Sequence, residues 1–185
     1  MITDRWRHRF SGSTLATSED GIQDNERYQI DLQSDRKLSD ISYIFSAFRF
    51  DADKFGAYDP QSTLTAGYGR EFMKSSTHLL KGEFGAGYRN LEERESGMSS
   101  SEAIIRLLAD DWWQITETTA WTNRLLVETG SDNTFSQFNT GLNVAMSDKF
   151  AIKVAYEVRN NTKVPAGDTE KTDTTTTVNL VYNFK

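Results

Sequence analysis

Apolar and polar residues alternate with a period of two along most of the chain. The segment 151–160 shows this clearly, because large apolar residues occupy every second position: Ile152, Val154, Tyr156 and Val158. The same period returns in 27–33 and 177–184. Since successive side chains of a β-strand point to opposite faces, the pattern is typical of strands with one apolar and one polar side.

The alternation predicts ten strands. Their ranges are 6–17, 26–34, 41–51, 62–72, 78–89, 100–109, 116–128, 134–147, 151–159 and 172–184. Several approach the roughly 9–11 residues that a tilted strand needs to cross a bilayer. Residues 99–112 also fit a capped amphipathic helix, but the strand is favoured because it preserves the succession of hairpins. We therefore expect one all-β domain, 1–185, folded as an antiparallel up-and-down transmembrane β-barrel of about ten strands.

The connections between the predicted strands alternate between longer polar loops and short turns. Loops are expected at 18–25, 52–61, 90–99, 129–133 and 160–171, and turns near 35–37, 73–77, 110–115 and 148–150. Both prolines fall in the longer loops, where no ladder N–H is needed. This arrangement is typical of outer-membrane barrels. We expect the long loops outside the cell and the short turns, with both termini, in the periplasm.

Alternation alone does not tell the inside of a barrel from its outside. With the polar faces inward, the lumen receives a charge network comprising Arg27, Asp31, Arg49, Lys81, Glu83, Arg106, Arg124, Glu128, Lys153, Glu157 and Arg159. Such residues either plug the barrel with salt bridges or form an eyelet that selects polar solutes. The plug is favoured, because aqueous channels need roughly 16–18 strands. With the apolar faces inward, the same pattern would fit a soluble lipocalin-like barrel.

Aromatic residues recur near the predicted strand ends at the short-turn side. We expect a membrane-interface belt made of Trp6, Phe72, Trp112, Trp113, Tyr182 and Phe184, with the adjacent tryptophans in the turn 110–115. Phe184 also resembles the C-terminal aromatic signal read by the barrel-assembly machinery, although Lys185 follows it. Outer-membrane lipid and this machinery are therefore the expected partners.

Composition and charge narrow the chemistry. The 185 residues carry a net charge of −6 and include no cysteine, which excludes a disulfide framework, a thiolate metal site and a cysteine nucleophile. The acidic balance argues against a nucleic-acid partner. No run of 18 apolar residues predicts a transmembrane helix. Most of the negative charge lies in the long loops, which we expect to meet lipopolysaccharide through divalent cations, because like charges repel directly.

No cofactor, metal site or enzymatic activity is predicted. The acidic group Glu19, Asp20, Asp24 and Glu26 lacks EF-hand spacing and fits a solvated loop. A Ser-His-acid hydrolase would have to use one of the two histidines, His8 and His78, and no Gly-x-Ser-x-Gly motif accompanies them. Interfacial or hydrogen-bonded histidines are favoured. A barrel enzyme acting on lipid or peptide stays open as the alternative.

Seven short segments occur in order along nearly the whole chain: Trp6-Arg7-His8, Glu26-Arg27-Tyr28, Ala57-Tyr58-Asp59, Ser131-Asp132-Asn133-Thr134, Tyr156-Glu157-Val158-Arg159-Asn160, Glu170-Lys171-Thr172-Asp173-Thr174 and Val181-Tyr182-Asn183-Phe184. Together they resemble the YdiY-like family of salt-induced outer-membrane proteins, whose function is unknown. The resemblance implies a Gram-negative outer-membrane β-barrel and supplies no catalytic residues. Family members carry a signal peptide and about two strands before the first segment, so it implies twelve strands in a family-like full-length chain.

The expected function follows from the pattern and the resemblance together. We expect an outer-membrane β-barrel with a largely plugged polar lumen. Its role would be structural or related to salt stress, or a minor transport role.

Overall fold

A computed structural model of the chain describes residues 5–19, 22–56, 58–94, 96–147, 149–164 and 170–182, with the backbone alone at 17–19 and 22–25. The predicted all-β fold is confirmed, and 99–112 lies in a strand rather than a helix. The ten strands are β1 (Trp6–Glu19), β2 (Ile22–Lys37), β3 (Ser42–Asp53), β4 (Tyr58–Lys74), β5 (His78–Glu93), β6 (Ser99–Gln114), β7 (Thr119–Thr129), β8 (Thr134–Ala145), β9 (Phe150–Asn161) and β10 (Thr172–Tyr182). No helix in the described ranges is long and apolar enough to cross a membrane.

Each strand pairs antiparallel with the next, so that one sheet runs in the order β1 to β10. The sheet curls, and strands distant in sequence face each other across its interior. Arg27 of β2 and Glu157 of β9, for example, form an ion pair of 2.6 Å. Within the described ranges the backbone ladder does not continue from β10 to β1. The architecture is the predicted up-and-down barrel, in the form of a curled ten-stranded half-barrel.

Most strands are longer than the sequence predicts, whereas β7 and β8 are shorter. β2 continues to Lys37 and β6 to Gln114, so the predicted turns at 35–37 and 110–115 are wrong. The predicted loops at 18–25, 52–61 and 90–99 are wrong for the same reason, because the strands extend into them and leave only 54–57 between β3 and β4 and 94–98 between β5 and β6, while β1 pairs with β2 as far as Glu19 and Ile22. Pro60 lies inside β4, beside the irregularity between Tyr58 and Gln61, where a missing N–H is tolerated. Polar strand ends look like loops in sequence, but pairing with the neighbouring strand extends them. Pro165 lies outside the described residues.

The four described short turns share one hydrogen-bond arrangement. In each, a hydroxyl oxygen accepts from the backbone N–H groups two and three residues later, at 2.9–3.3 Å. The hydroxyls belong to Ser39, Ser75, Thr116 and Ser147. The backbone N–H of the same residue donates to the carbonyl three positions on. The side chain therefore satisfies donors that have no ladder partner where the chain reverses.

The sheet is polar inside and apolar outside. Among the described residues, fifteen polar or charged side chains are buried but only seven hydrophobic ones. The outer surface exposes large hydrophobic side chains over most of its area, including Ile30, Phe48, Phe84, Phe138 and Leu180. Soluble monomers rarely expose apolar surface on this scale. The lipocalin-like alternative, which needs the apolar face inside, does not fit this polarity.

Glycines on β4 and β5 make room for interior aromatic side chains. An ideal Cβ on Gly69 would overlap the ring of Tyr43, and one on Gly85 would lie 2.9 Å from Cζ of Phe45. Both aromatic residues are buried. The wall formed by β3, β4 and β5 is thus lined by the rings of Tyr43 and Phe45, which pack beside these glycines.

Candidate functional site

Glu83 of β5 is the centre of the charged interior near the short-turn end. It accepts hydrogen bonds from Tyr43 Oη at 2.9 Å, Gln33 Nε2 at 2.9 Å and Arg106 Nη1 at 2.7 Å. Its side chain is fully buried. These three donors replace the water that an ionised carboxylate would otherwise bind.

Glu128 of β7 is a second centre, further from the short turns. Arg49 of β3 places Nη2 2.5 Å from Glu128 Oε2, and Arg106 Nε lies 4.0 Å from Glu128 Oε1. Because β3 and β7 are not neighbours in the sheet, the Arg49–Glu128 pair spans the interior. Arg106 links this centre to Glu83.

Phe135 lies between two guanidinium groups at the long-loop end of the interior. The Cζ atoms of Arg49 and Arg159 are 4.4 Å and 5.3 Å from its ring centroid. Arg159 also binds Asp51 and lies 3.4 Å from Oδ2 of Asp53. Phe135 is only 1% exposed. The ring and its two cations therefore lie together inside the sheet near this end.

Arg89 and Glu102 form the most deeply buried ion pair. Arg89 Nη2 is 2.5 Å from Glu102 Oε1 and also donates to the carbonyl of Asn133. Glu102 accepts a further hydrogen bond from the backbone N–H of Asp132 at 2.9 Å. A Cβ on Gly130 would overlap the Glu102 carboxylate, so the 130–133 connection packs directly on the pair.

The remaining predicted network residues lie around these centres. Glu157 accepts from Arg27 at 2.6 Å and from Gln137 at 2.7 Å. Lys81 and Arg124 both approach Asp110 Oδ2, at 3.2 Å and 3.4 Å.

Asp31 and Lys153 are the two predicted network residues outside these ion pairs. Asp31 accepts hydrogen bonds from Gln29 and Ser11. Lys153 and Arg124 line a cavity of about 310 Å³ against β7, β8 and β9, on the short-turn side of Phe135. The structure therefore brings nearly all predicted charges into one connected interior.

Sequence reasoning missed four buried members of this network. They are Asp35, Asp51, Arg89 and Glu102, each of which forms an ion pair. Their position in the alternation places them inward, so the signal was present. They were missed because they lie at or close to the predicted strand boundaries, where polar residues are equally typical of loops.

Exposed aromatic side chains collect on the outer surface at the short-turn end. Phe150 packs against Tyr182, with ring centroids 5.1 Å apart. The exposed members of this belt are Trp6, Phe72, Trp113, Trp121, Phe150 and Tyr182. Rings with one apolar and one polar side prefer the headgroup level of a membrane.

The structure does not place two residues of the predicted belt, Trp112 and Phe184, among its exposed members. The prediction for Trp112 is wrong, because Trp112 is a strand residue of β6, opposite Thr122, and shares the interior-side face with Leu108. Its neighbour Trp113 takes the outer face instead. Phe184 lies outside the described residues.

The two histidines also lie at the short-turn end. His78 Nε2 is 2.7 Å from Asp111 Oδ1, and its ring stacks on Trp113, whereas His8 stacks on Trp6. Within the described part of the chain, no side-chain hydroxyl is hydrogen-bonded to either ring. A triad nucleophile needs that bond to its base.

The expected acidic loop is wrong where the structure describes it, because Glu19 ends β1 and both Asp24 and Glu26 lie in β2. Asp20 lies outside the described residues, as do the side chains of Glu19 and Asp24. Glu26 pairs with Lys54 at 2.5 Å, and this hydrogen bond raises the pKa of Lys54. The described residues contain no cluster of three or more His, Asp or Glu side chains that could hold a metal ion.

Comparison with known proteins shows the family to which the chain belongs. Residues 2–184 match the model of a family described as a protein of unknown function, DUF481. The chain belongs to this family. It is also 31% identical over 173 residues to the uncharacterized protein YdiY of Escherichia coli (strain K12), a match that covers 94% of this chain and 68% of that protein. The resemblance to YdiY-like proteins is confirmed.

A solved structure shares the fold of this DUF481 chain. The structure of the NanC porin matches it with a TM-score of 0.58 and 8% sequence identity, over 97% of this chain and 98% of that one. At this identity the likeness shows the fold alone. The DUF481 chain is a porin-like β-barrel, and its charged interior corresponds to the lumen.

Proposed function

We propose that this DUF481 chain works in the outer membrane of a Gram-negative bacterium as a β-barrel whose lumen is closed by paired charges. Its role is structural or related to salt stress. The observation that carries the proposal is the inverted polarity, with ion pairs inside and hydrophobic side chains over the outer surface. Such an outer surface can contact lipid acyl chains. The hydrogen bonds between strands pair the backbone N–H and C=O groups, which find no hydrogen-bond partner in the core of a bilayer.

The porin fold also supports a transport role, but only for small species. Arg49, Phe135 and Arg159 close the lumen at the long-loop end. The cavity of about 310 Å³ that is lined by β7, β8 and β9 lies between these three residues and the short-turn end. Water and small ions are therefore the largest species that we expect to pass.

The aromatic belt supports an orientation. We place the short turns at the periplasmic headgroups and the longer connections at the cell surface, where their acidic residues meet lipopolysaccharide through divalent cations. Phe184 serves as the assembly signal.

Migration in gels tests the membrane assignment. The full chain, refolded in detergent, should migrate faster unheated than after boiling, because a folded barrel resists the detergent until heated. It should also fractionate with the outer membrane when expressed with a secretion signal. A monodisperse, folded species in buffer without detergent would overturn the proposal.

We also propose that the chain is not an enzyme. The His78–Asp111 pair is the part of the structure closest to a catalytic pair, and the absence of a bonded hydroxyl among the described residues supports this view. Lipase and peptidase assays on wild-type protein and on His78→Ala should give equal background rates. An activity that His78→Ala abolishes would overturn it.

A further inference from the structure

Three exposed basic side chains form a patch at the short-turn end of the wall made by β2, β3 and β4. Arg36 and Arg70 occupy outward positions of β2 and β4, because they alternate with the buried residues Asp35 and Gly69. Lys37 is the last residue of β2. No ion pair joins any of these three cations to another described residue. The basic patch is therefore available to a ligand outside the chain.

Nearby acidic side chains do not neutralise the basic patch. Glu71 is already paired, with Lys74 at 2.8 Å and with Arg7 at 3.6 Å. Among the described residues at this end of β2 to β4, Asp40 is the one exposed acidic side chain. Three cations therefore stand against one carboxylate, and the surface carries an excess of two positive charges.

The basic patch lies at the level of the aromatic belt. The guanidinium carbon of Arg36 is 6.0 Å from the ring centroid of Trp6. Arg70 is opposite Gly82 in the ladder, and the exposed ring of Phe72 lies over the same glycine, since a Cβ there would be 2.8 Å from Cε2 of Phe72. Cations and exposed apolar rings thus lie side by side in one band of the outer surface.

The turn beside the patch adds further apolar surface. Leu38 and Ile41, between β2 and β3, are 56% and 40% exposed. A soluble acidic molecule would pair with the cations but would leave these side chains and the aromatic rings in water. A molecule with a negative headgroup and acyl chains complements both the charge and the apolar surface.

The same end of the outer surface on β6 to β9 carries no such excess of positive charge among its described residues. Asp111 is paired with His78 at 2.7 Å. The exposed turn residues Glu117 and Lys149 have opposite charges. The excess is therefore local to β2, β3 and β4 and is not a property of every short turn.

We propose that the basic patch binds the phosphate headgroup of an anionic phospholipid of the phosphatidylglycerol type, while the rings of Trp6 and Phe72 contact its acyl chains. The headgroup supplies the negative charge that the chain's own acids lack there. A zwitterionic phospholipid is disfavoured, because its second charge is positive and only Asp40 stands there to accept it. The inference rests on the proposed function, since it requires a barrel whose short turns lie at phospholipid headgroups.

Lipid competition in native mass spectrometry tests the proposal. The full chain is refolded in phosphatidylcholine vesicles, checked by heat-modifiable migration, and released into a mild detergent with equal amounts of phosphatidylglycerol and phosphatidylcholine. Wild type should bind phosphatidylglycerol roughly 5–25-fold more tightly, since each of the two excess charges contributes up to about fivefold. Equal binding of both lipids by folded protein would overturn this inference and leave the proposed function standing. A chain that folds in no vesicle would overturn the proposed function, and this inference with it.

Substitutions in the patch address its residues. Arg36→Gln/Arg70→Gln should bring the ratio of the two affinities close to one, because Lys37 then stands against Asp40 alone. Arg70→Lys keeps the charge and should keep most of the preference. If the double variant does not fold, Arg36→Gln and Arg70→Gln decide singly, each with an expected loss of up to about fivefold.

Lys149→Gln is the matched control. It removes an exposed cation at the same end of the barrel but outside the patch, and it should show the wild-type preference. If Lys149→Gln and the patch variants lower the preference equally, the net charge of the barrel is responsible and the proposed site is wrong.

Glycerophosphate distinguishes a lipid from a soluble phosphate ester. Added at constant ionic strength, it should not displace bound phosphatidylglycerol, because it lacks the acyl chains that contact Trp6 and Phe72. Displacement of the lipid by glycerophosphate would show that the patch recognises a free phosphate, and would overturn the lipid assignment.

Discussion

Arg89 is a charged side chain with 0% exposure. An ion in such a place is tolerated only where protein partners replace its water, and here Glu102 and the backbone carbonyls of Asn133 and Glu128 accept from all three guanidinium nitrogens. The pair holds the end of β5 and the start of β6 against the connection that leads into β8. The Arg89–Glu102 pair therefore holds the 130–133 connection in place and also joins β5 to β6.

Removing one partner of this pair should cost more than removing both. We expect Arg89→Met, which leaves the Glu102 carboxylate buried alone, to lower the free energy of unfolding by about 3–5 kcal/mol. The double variant Arg89→Met/Glu102→Leu should recover a large part of this loss. Urea unfolding in lipid vesicles at fixed chloride measures both. A single variant within about 1 kcal/mol of wild type, the range of surface pairs, would contradict the buried assignment.

The period of two accounts for which residues point inward, but not for which residues meet. The inward positions of Arg49, Glu83 and Arg106 follow from the alternation alone. The inward position of Phe135 follows in the same way, although Phe135 was not among the predicted interior residues. The pairing of Arg49 with Glu128 does not follow, because 79 residues separate them and the curl of the sheet brings them together. The inward positions of Gly69 and Gly85 also follow from the alternation, but which aromatic ring fills the space beside each glycine does not.

At the scale of the element, the hairpin turn is the repeated unit. The hydroxyl near the start of each described short turn accepts hydrogen bonds from two backbone N–H groups, as Ser75 does from Thr77 and His78 at 3.3 Å and 2.9 Å. Sequence alternation located these turns only approximately, since the strands run past their predicted ends. In each of these turns a serine or threonine lies three residues before the first residue of the next strand. This position is the sequence signal that could have located the turns.

Ser75→Ala should destabilise the β4–β5 hairpin. We expect a loss of about 1 kcal/mol, because two N–H groups lose an acceptor but regain water at an exposed turn. Ser76→Ala, in the same turn and equally exposed, is the matched control and should leave the urea midpoint unchanged. If both substitutions shift the midpoint equally, the shared hydroxyl has no special role.

At the scale of the whole molecule, the two ends of the barrel differ. The short-turn end carries the aromatic belt, and the opposite end carries the longer connections such as 94–98 and 162–171. We expect protease added to intact cells to cut the full-length protein within 90–99 or 160–171. Cleavage confined to 38–41, 75–77 and 146–149 would show that the barrel has the opposite orientation.

We propose above that paired charges close this porin-like barrel. Planar-bilayer recording of the wild-type chain tests it most directly, once heat-modifiable migration has shown that the same sample is folded. A variant with Arg49, Phe135 and Arg159 all changed to alanine serves as the control, because removal of the closing residues should produce conductance. We expect no stable nanosiemens-scale conductance for wild type and clear steps for the variant. Stable nanosiemens-scale steps from wild-type protein would contradict it.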